Sequence, residues 1–119
     1  MSYTLYGIKN CNSVKKAVDW LNQHTIPFQF HDYKKSGITQ DMLQQWCKAK
    51  GWDHIINKNG TTFKALDTSI KDTITNEKAA INLMMEKNSC IKRPIITDAD
   101  GNICSIRFDE AIFESVYLK

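Results

Sequence analysis

Tyr3-Thr4-Leu5-Tyr6-Gly7-Ile8-Lys9-Asn10-Cys11-Asn12-Ser13-Val14 is the stretch whose reading decides the fold. Tyr3 to Tyr6 is aromatic and β-prone, and Gly7 ends it as a strand. A short loop leads to Cys11. Asn12 and Ser13 are good N-cap types. Val14, Ala17, Val18 and Leu21 then fall at i, i+3, i+4 and i+7, one helical face. The helix is expected to run to about His24, with Pro27 as the breaker. Phe28-Gln29-Phe30-His31 alternates as a second strand. The opening is therefore β-α-β, a parallel pair with a right-handed crossover.

Beyond it, Asp32 to Gly37 reads as a polar loop. Thr39 is expected to cap a helix with Met42, Leu43, Trp46 and Cys47 on one face and Gly51 as its stop. Trp52 to Leu66 holds two short helical turns around an Asn59-Gly60 turn. Thr75 is expected to cap a helix with Ala80, Ile81, Met84 and Met85 inward. Ile91 to Thr97 reads as a strand interrupted by Pro94. Asp100-Gly101 is a hairpin signal, and Ile103 to Ile106 is the return strand. Asp109 caps a last helix with Ile112, Phe113, Val116 and Tyr117 inward. The order β-α-β, helices, β-β-α predicts an α/β, thioredoxin-like (glutaredoxin-like) fold. Its sheet is four-stranded and mixed, and a helical insertion spans roughly residues 36–88 of a single domain, 1–119.

The bulk properties agree. The chain has 119 residues, 42% hydrophobic and 24% charged, with net charge +3. That is one ordinary globular domain. No apolar run exceeds three residues, which excludes a membrane span and a signal-peptide core. The charge is too small to imply direct nucleic-acid binding. Cys11, Cys47, Cys90 and Cys104 are widely spaced, with no C-x-x-C pair, and read as reduced thiols of a cytoplasmic protein. His24, His31 and His54 lack metal-ligand spacing, so no metal is expected. Asp98 to Asn102 is a turn rather than a calcium loop.

Chemistry concentrates at Cys11. A thiol between a strand and a helix faces unpaired backbone N–H groups and the positive end of the helix dipole. Lys9, Lys15 and Lys16 add charge. Thiols in such surroundings titrate between roughly 3.5 and 7.5, against ~8.5 for a free one. The thiolate attacks disulfides and oxidised centres. Pro94 removes a donor from its strand and needs a reason; a cis proline facing the thiol would supply one. Arg93 and Arg107 are the only arginines among 16 basic residues. Their planar forks suit carboxylates and oxyanions, which suggests an anion site. Cys47 reads as core. Cys90 and Cys104 stay open as resolving thiols.

Thr4 to Cys11, Lys15-Lys16-Ala17, Trp20-Leu21, Phe30-His31-Asp32-Tyr33, Gly60-Thr61-Thr62 and Ile91-Lys92-Arg93-Pro94 resemble the YffB-like branch of the arsenate reductase (ArsC) family. The resemblance implies a single active-site cysteine, Cys11; Lys9 and Asn10 beside it are expected to stabilise its thiolate. It also implies a cis Pro94 after Arg93, and a second anion-binding arginine, Arg107. It implies a glutathione-dependent thiol reductase with no bound cofactor, glutathione as co-substrate and glutaredoxin as a further partner. The protein is expected to be monomeric and away from membranes. Two departures separate the chain from arsenate reducers. Gly7-Ile8-Lys9-Asn10 replaces a His-Asn-Pro lead, and Asn57-Lys58-Asn59 stands where a third arginine belongs, with Lys58 offering a point charge to the substrate. The same cysteine would serve arsenate reduction, the alternative activity. Spx-like regulators, which bind the RNA polymerase α subunit, often carry C-x-x-C here; Val14 at the fourth position removes that dithiol switch.

Overall fold

The computed structural model describes residues 3–118. Two compact units divide the chain, one built from residues 1–36 and 93–119, the other from Gly37–Lys92.

The first unit carries the sheet. Strands β1 (Tyr3–Gly7), β2 (Phe28–Asp32), β3 (Ile95–Thr97) and β4 (Ile103–Ile106) lie in the order β2-β1-β3-β4. β1 pairs parallel with β2, antiparallel with β3, and β3 antiparallel with β4. This is the expected mixed thioredoxin-like sheet. Helices α1 (Asn12–Gln23) and α8 (Glu110–Tyr117) belong to this unit. Leu5 and Ile96 from the sheet, Val14, Ala17, Trp20 and Leu21 from α1, and Phe113 from α8 form one buried cluster. Asp98 holds the β3–β4 turn by accepting the N–H groups of Asp100 (2.9 Å) and Asn102 (3.0 Å), and Gly101 takes the positive φ the turn requires.

Three sequence expectations shift here. Asp32 to Gly37 is not all loop: Asp32 ends β2, and Tyr33–Ser36 forms a helical turn, α2, whose Tyr33 is buried. β3 begins after Pro94 rather than at Ile91, because a proline cannot donate to the ladder. Ile112 lies on the outer side of α8, 49% exposed, and Phe113 alone in that helix is fully buried.

The second unit is helical: α3 (Gln40–Lys50), α4 (Trp52–Ile55), α5 (Thr61–Lys64), α6 (Thr68–Lys71), α7 (Glu77–Glu86) and a 3₁₀ turn at Asn88–Cys90. Thr39 caps α3 as expected, and Gly51 ends it at φ 92°. Asn76, not Thr75, caps α7, since its carboxamide accepts the Ala79 N–H. Leu83 rather than Met85 faces inward there. Ile91 forms a lone antiparallel bridge with Ile56, and Lys92 N–H donates to the Ile55 carbonyl at 2.9 Å.

Cys47 is buried in α3, as expected of a core cysteine. Burial pushes its thiol up to about 11, and the Glu77 carboxylate adds to this. Burial likewise raises the Tyr6, Tyr33 and Tyr117 phenols. In each case the unfolded chain releases a proton at lower pH than the folded one. Stability contributed by these groups is therefore complete below their ordinary values and declines as pH rises toward the folded ones. Urea unfolding midpoints should stay level from about pH 7 to 8.5, then fall between about pH 9 and 11. Cys47→Ala should show a shallower alkaline fall than wild type.

Candidate active site

The pairing register decides what meets at one end of the sheet. Gly7 pairs with Asp32, Tyr6 with Ile95, and Ile95 with Ile106. The Ile8–Asn10 loop and Cys11 follow β1, Tyr33 follows β2, Arg93-Pro94 precedes β3 and Arg107 follows β4. All four strand ends point the same way. Ligands of α/β sheets bind beyond the carboxyl ends of parallel strands, and here β1 and β2 are such a pair.

Gly7 lets α1 start close against the sheet. A Cβ at this position would lie 2.7 Å from Val14 Cγ2, inside any tolerable contact. The start of α1 also differs from those of the other long helices. Thr39, Asn76 and Asp109 cap α3, α7 and α8 with side-chain oxygens that accept backbone N–H groups at 3.2, 2.9 and 3.1 Å. The N-cap of α1 is Cys11, in extended conformation (φ −130°, ψ 124°), and its side chain makes no cap hydrogen bond. Asn12 and Ser13, the expected caps, already lie inside the helix, because the extended residue is Cys11 itself. The Cys11 carbonyl accepts from Lys15 N–H at 3.0 Å, so the helix begins in regular fashion. The first-turn N–H groups have no intrahelical acceptor. The thiol is half-buried against the cluster of Leu5, Val14 and Phe113.

Lys9 and Asn10 form the exposed turn ahead of Cys11. The neighbouring Lys35 holds the Lys9 ammonium below the usual lysine range, against a pull upward from Asp32. The Arg93–Pro94 peptide is cis, and Pro94 is buried. The Pro94 carbonyl accepts the Arg107 N–H at 2.8 Å, which ties the two candidate residues together. Arg107 itself takes φ 65°, a left-handed conformation rare for a side chain of this size. Such backbone outliers gather at functional sites.

Arg93 interacts with Tyr33. Burial sets the Tyr33 phenol well above its usual range, Tyr6 adds to this, and the Arg93 guanidinium opposes it. The Tyr6 and Tyr33 rings stack at 6.3 Å. The sequence reading missed Tyr33; an aromatic residue directly after an alternating strand was the available signal. Lys58 belongs to the second unit, where its ammonium lies 5.1 Å from the Trp52 ring centroid. Cys104 is half-buried on the edge strand β4, with Sγ 3.7 Å from the Asn102 carbonyl. Cys90 is fully buried in the second unit. Among the described residues, no three His, Cys, Asp or Glu side chains gather as a metal site, and no helix is long and apolar enough to cross a membrane.

A four-stranded sheet of this order, with a cysteine heading α1 and a cis proline heading β3, is a thioredoxin-like fold. The chain belongs to the ArsC family, whose model matches residues 6–114, and it is arsenate-reductase-like. It is similar to the solved YffB protein, at 39% identity over 96% of this chain and 97% of that one, with a TM-score of 0.87. An arsenate reductase (ArsC) related protein from Brucella melitensis shares 39% identity, covering 100% of this chain and 96% of that one, with a TM-score of 0.78. The global transcriptional regulator Spx of Streptococcus mutans is 33% identical over 97 residues, which are 80% of this chain and 69% of Spx.

Proposed function

We propose that this protein is a thiol oxidoreductase that draws its electrons from glutathione. One observation carries the reading: α1 begins on a thiol, where the other long helices begin on a capping oxygen. The fold would be better served by serine or aspartate at this position. A cysteine there makes sense as a nucleophile presented at the positive end of the helix.

The reaction balances without a second protein thiol. The Cys11 thiolate attacks the glutathione sulfur of a mixed disulfide R–S–S–G. A Cys11–glutathione disulfide forms, and RS⁻ leaves and takes a proton from water. A second glutathione thiolate then attacks that disulfide, giving oxidised glutathione and restoring Cys11. The net change is RSSG + GSH → RSH + GSSG. Lys9 and Asn10 flank the nucleophile. Arg93 and Arg107 hold the glutathione carboxylates, and Pro94 supplies the wall between them.

The test is glutathione-dependent reduction of a hydroxyethyl–glutathione disulfide, followed through oxidised glutathione. Turnover with glutathione as sole reductant is the expected result; none would defeat the reading. Arg107→Gly sharpens it. Glycine accepts φ 65° without strain, so the thermal midpoint should barely move, whereas the KM for glutathione should rise about tenfold with the lost charge-assisted hydrogen bonds.

Arsenate reduction by Cys11 is the alternative suggested by the Brucella relative. Arsenate-dependent thiol consumption at millimolar arsenate separates the two. The identity to Spx favours a different alternative, binding to the RNA polymerase α subunit without catalysis. Pull-down of that subunit that survives Cys11→Ala, with no thiol transfer by wild type, would select it.

A further inference from the structure

Between α1 and β2 runs an apolar groove of about 430 Å³, in the size range of ligand sites, lined at one end by Lys9 and Val14, close in sequence to Cys11. Val14 and Val18 of α1 form one wall, and Phe28 and Phe30 of β2 the other. Phe30 is 37% exposed there, on a strand at the sheet edge. Lys9 and Lys15 rim the groove at the Cys11 end, and Asp19 lies one turn further along α1. Lys35 lies close enough to Lys9 to lower the pKa of its ammonium by repulsion. Lys9 and Lys15 thus put two ammonium groups on the groove, with Lys35 close to Lys9. Asp32 also acts on Lys9, and its carboxylate accepts the Lys34 backbone N–H at 2.8 Å.

We infer that the groove selects the thiol partner: a peptide whose disulfide cysteine is followed or preceded closely by a carboxylate, with an aromatic or branched side chain beyond it. The inference rests on the thiol-transfer reading above and names the R group of R–S–S–G. The spacing fits. Val14 and Val18 lie about 4.5 and 10.5 Å along the helix axis from Cys11 at 1.5 Å per residue. An extended peptide covers that distance in roughly one to three residues at ~3.3 Å each. The lysines meet the acidic residue next to the cysteine, and the two apolar walls meet the side chain beyond. Glutathione alone offers carboxylates but no apolar side chain, and leaves the walls unfilled.

Two peptides test this, Phe-Glu-Cys-Gly and Ser-Gln-Cys-Gly. Each is used S-methylated for binding by heteronuclear NMR titration and glutathionylated for turnover. Wild type should bind the first about tenfold more tightly and turn it over with a correspondingly higher kcat/KM, as expected for one buried aromatic ring and one charge contact. Shift changes should map to Val18 and Phe30. Phe30→Ser should remove the preference for phenylalanine, and Lys35→Glu the preference for glutamate. Both variants should keep turnover of the hydroxyethyl–glutathione disulfide. Equal binding of the two peptides, or a preference unmoved by both variants, overturns the inference. Selective binding without turnover of any disulfide upholds the groove and instead defeats the thiol-transfer reading.

Discussion

Cys11→Ser is expected to lower glutathione-dependent thiol transfer by at least ~10³-fold, since a hydroxyl cannot form the mixed disulfide on which both half-reactions depend. The same variant should be more stable than wild type. Serine at an N-cap accepts a first-turn N–H, which the thiol does not. A capping side chain contributes about 0.5–2 kcal/mol. Loss of activity with a gain in urea midpoint is a combination that a structural cysteine cannot produce. A half-buried cysteine acting as filler would give the reverse, retained turnover and a lower midpoint.

Phe113→Ala should destabilise the protein by about 3–5 kcal/mol, the usual range for truncating a fully buried phenylalanine. Phe113 is completely buried and meets three rings edge-on: Trp20 at 5.3 Å, Phe108 at 4.9 Å and Tyr117 at 5.1 Å. It joins α8 to α1 and the sheet through one cluster, against which Cys11 also packs. Phe113→Leu, which keeps most of the volume, should cost roughly 1 kcal/mol. Chemical denaturation of the two variants checks both figures. Ile112→Ala, at an exposed position, should change the midpoint little.

How far the sequence could be read follows from what each element depends on. The α1 face, the hairpin turn at Asp100-Gly101 and the caps Thr39 and Asp109 rest on local rules of period and side-chain hydrogen bonding, and they stand as expected, except that Trp20 rather than Val18 completes the buried stripe of α1. Boundaries that depend on tertiary pairing moved. β3 starts after Pro94 because its ladder is shared with β1 and β4, and Ile91 finds its partner in Ile56 instead. Tyr33 looked like loop because its neighbours are polar, yet the fold buries it beside Arg93. Met85 and Ile112 matched the helical period but fell on the edge of the buried stripe, which a few degrees of helix rotation decides. Cys11, Pro94 and the two arginines were legible by residue type and order. The bare N-cap at Cys11, the left-handed Arg107 and the Lys9–Lys35 contact were not, since each is a matter of backbone geometry or of residues far apart in sequence.

Peptide-mapped mass spectrometry of the reduced protein after exposure to oxidised glutathione tests the central assignment most directly. One glutathione, on Cys11, is the predicted product, with buried Cys47 and Cys90 unmodified. A protein that takes glutathione only on Cys104, or on no cysteine at all, would contradict it.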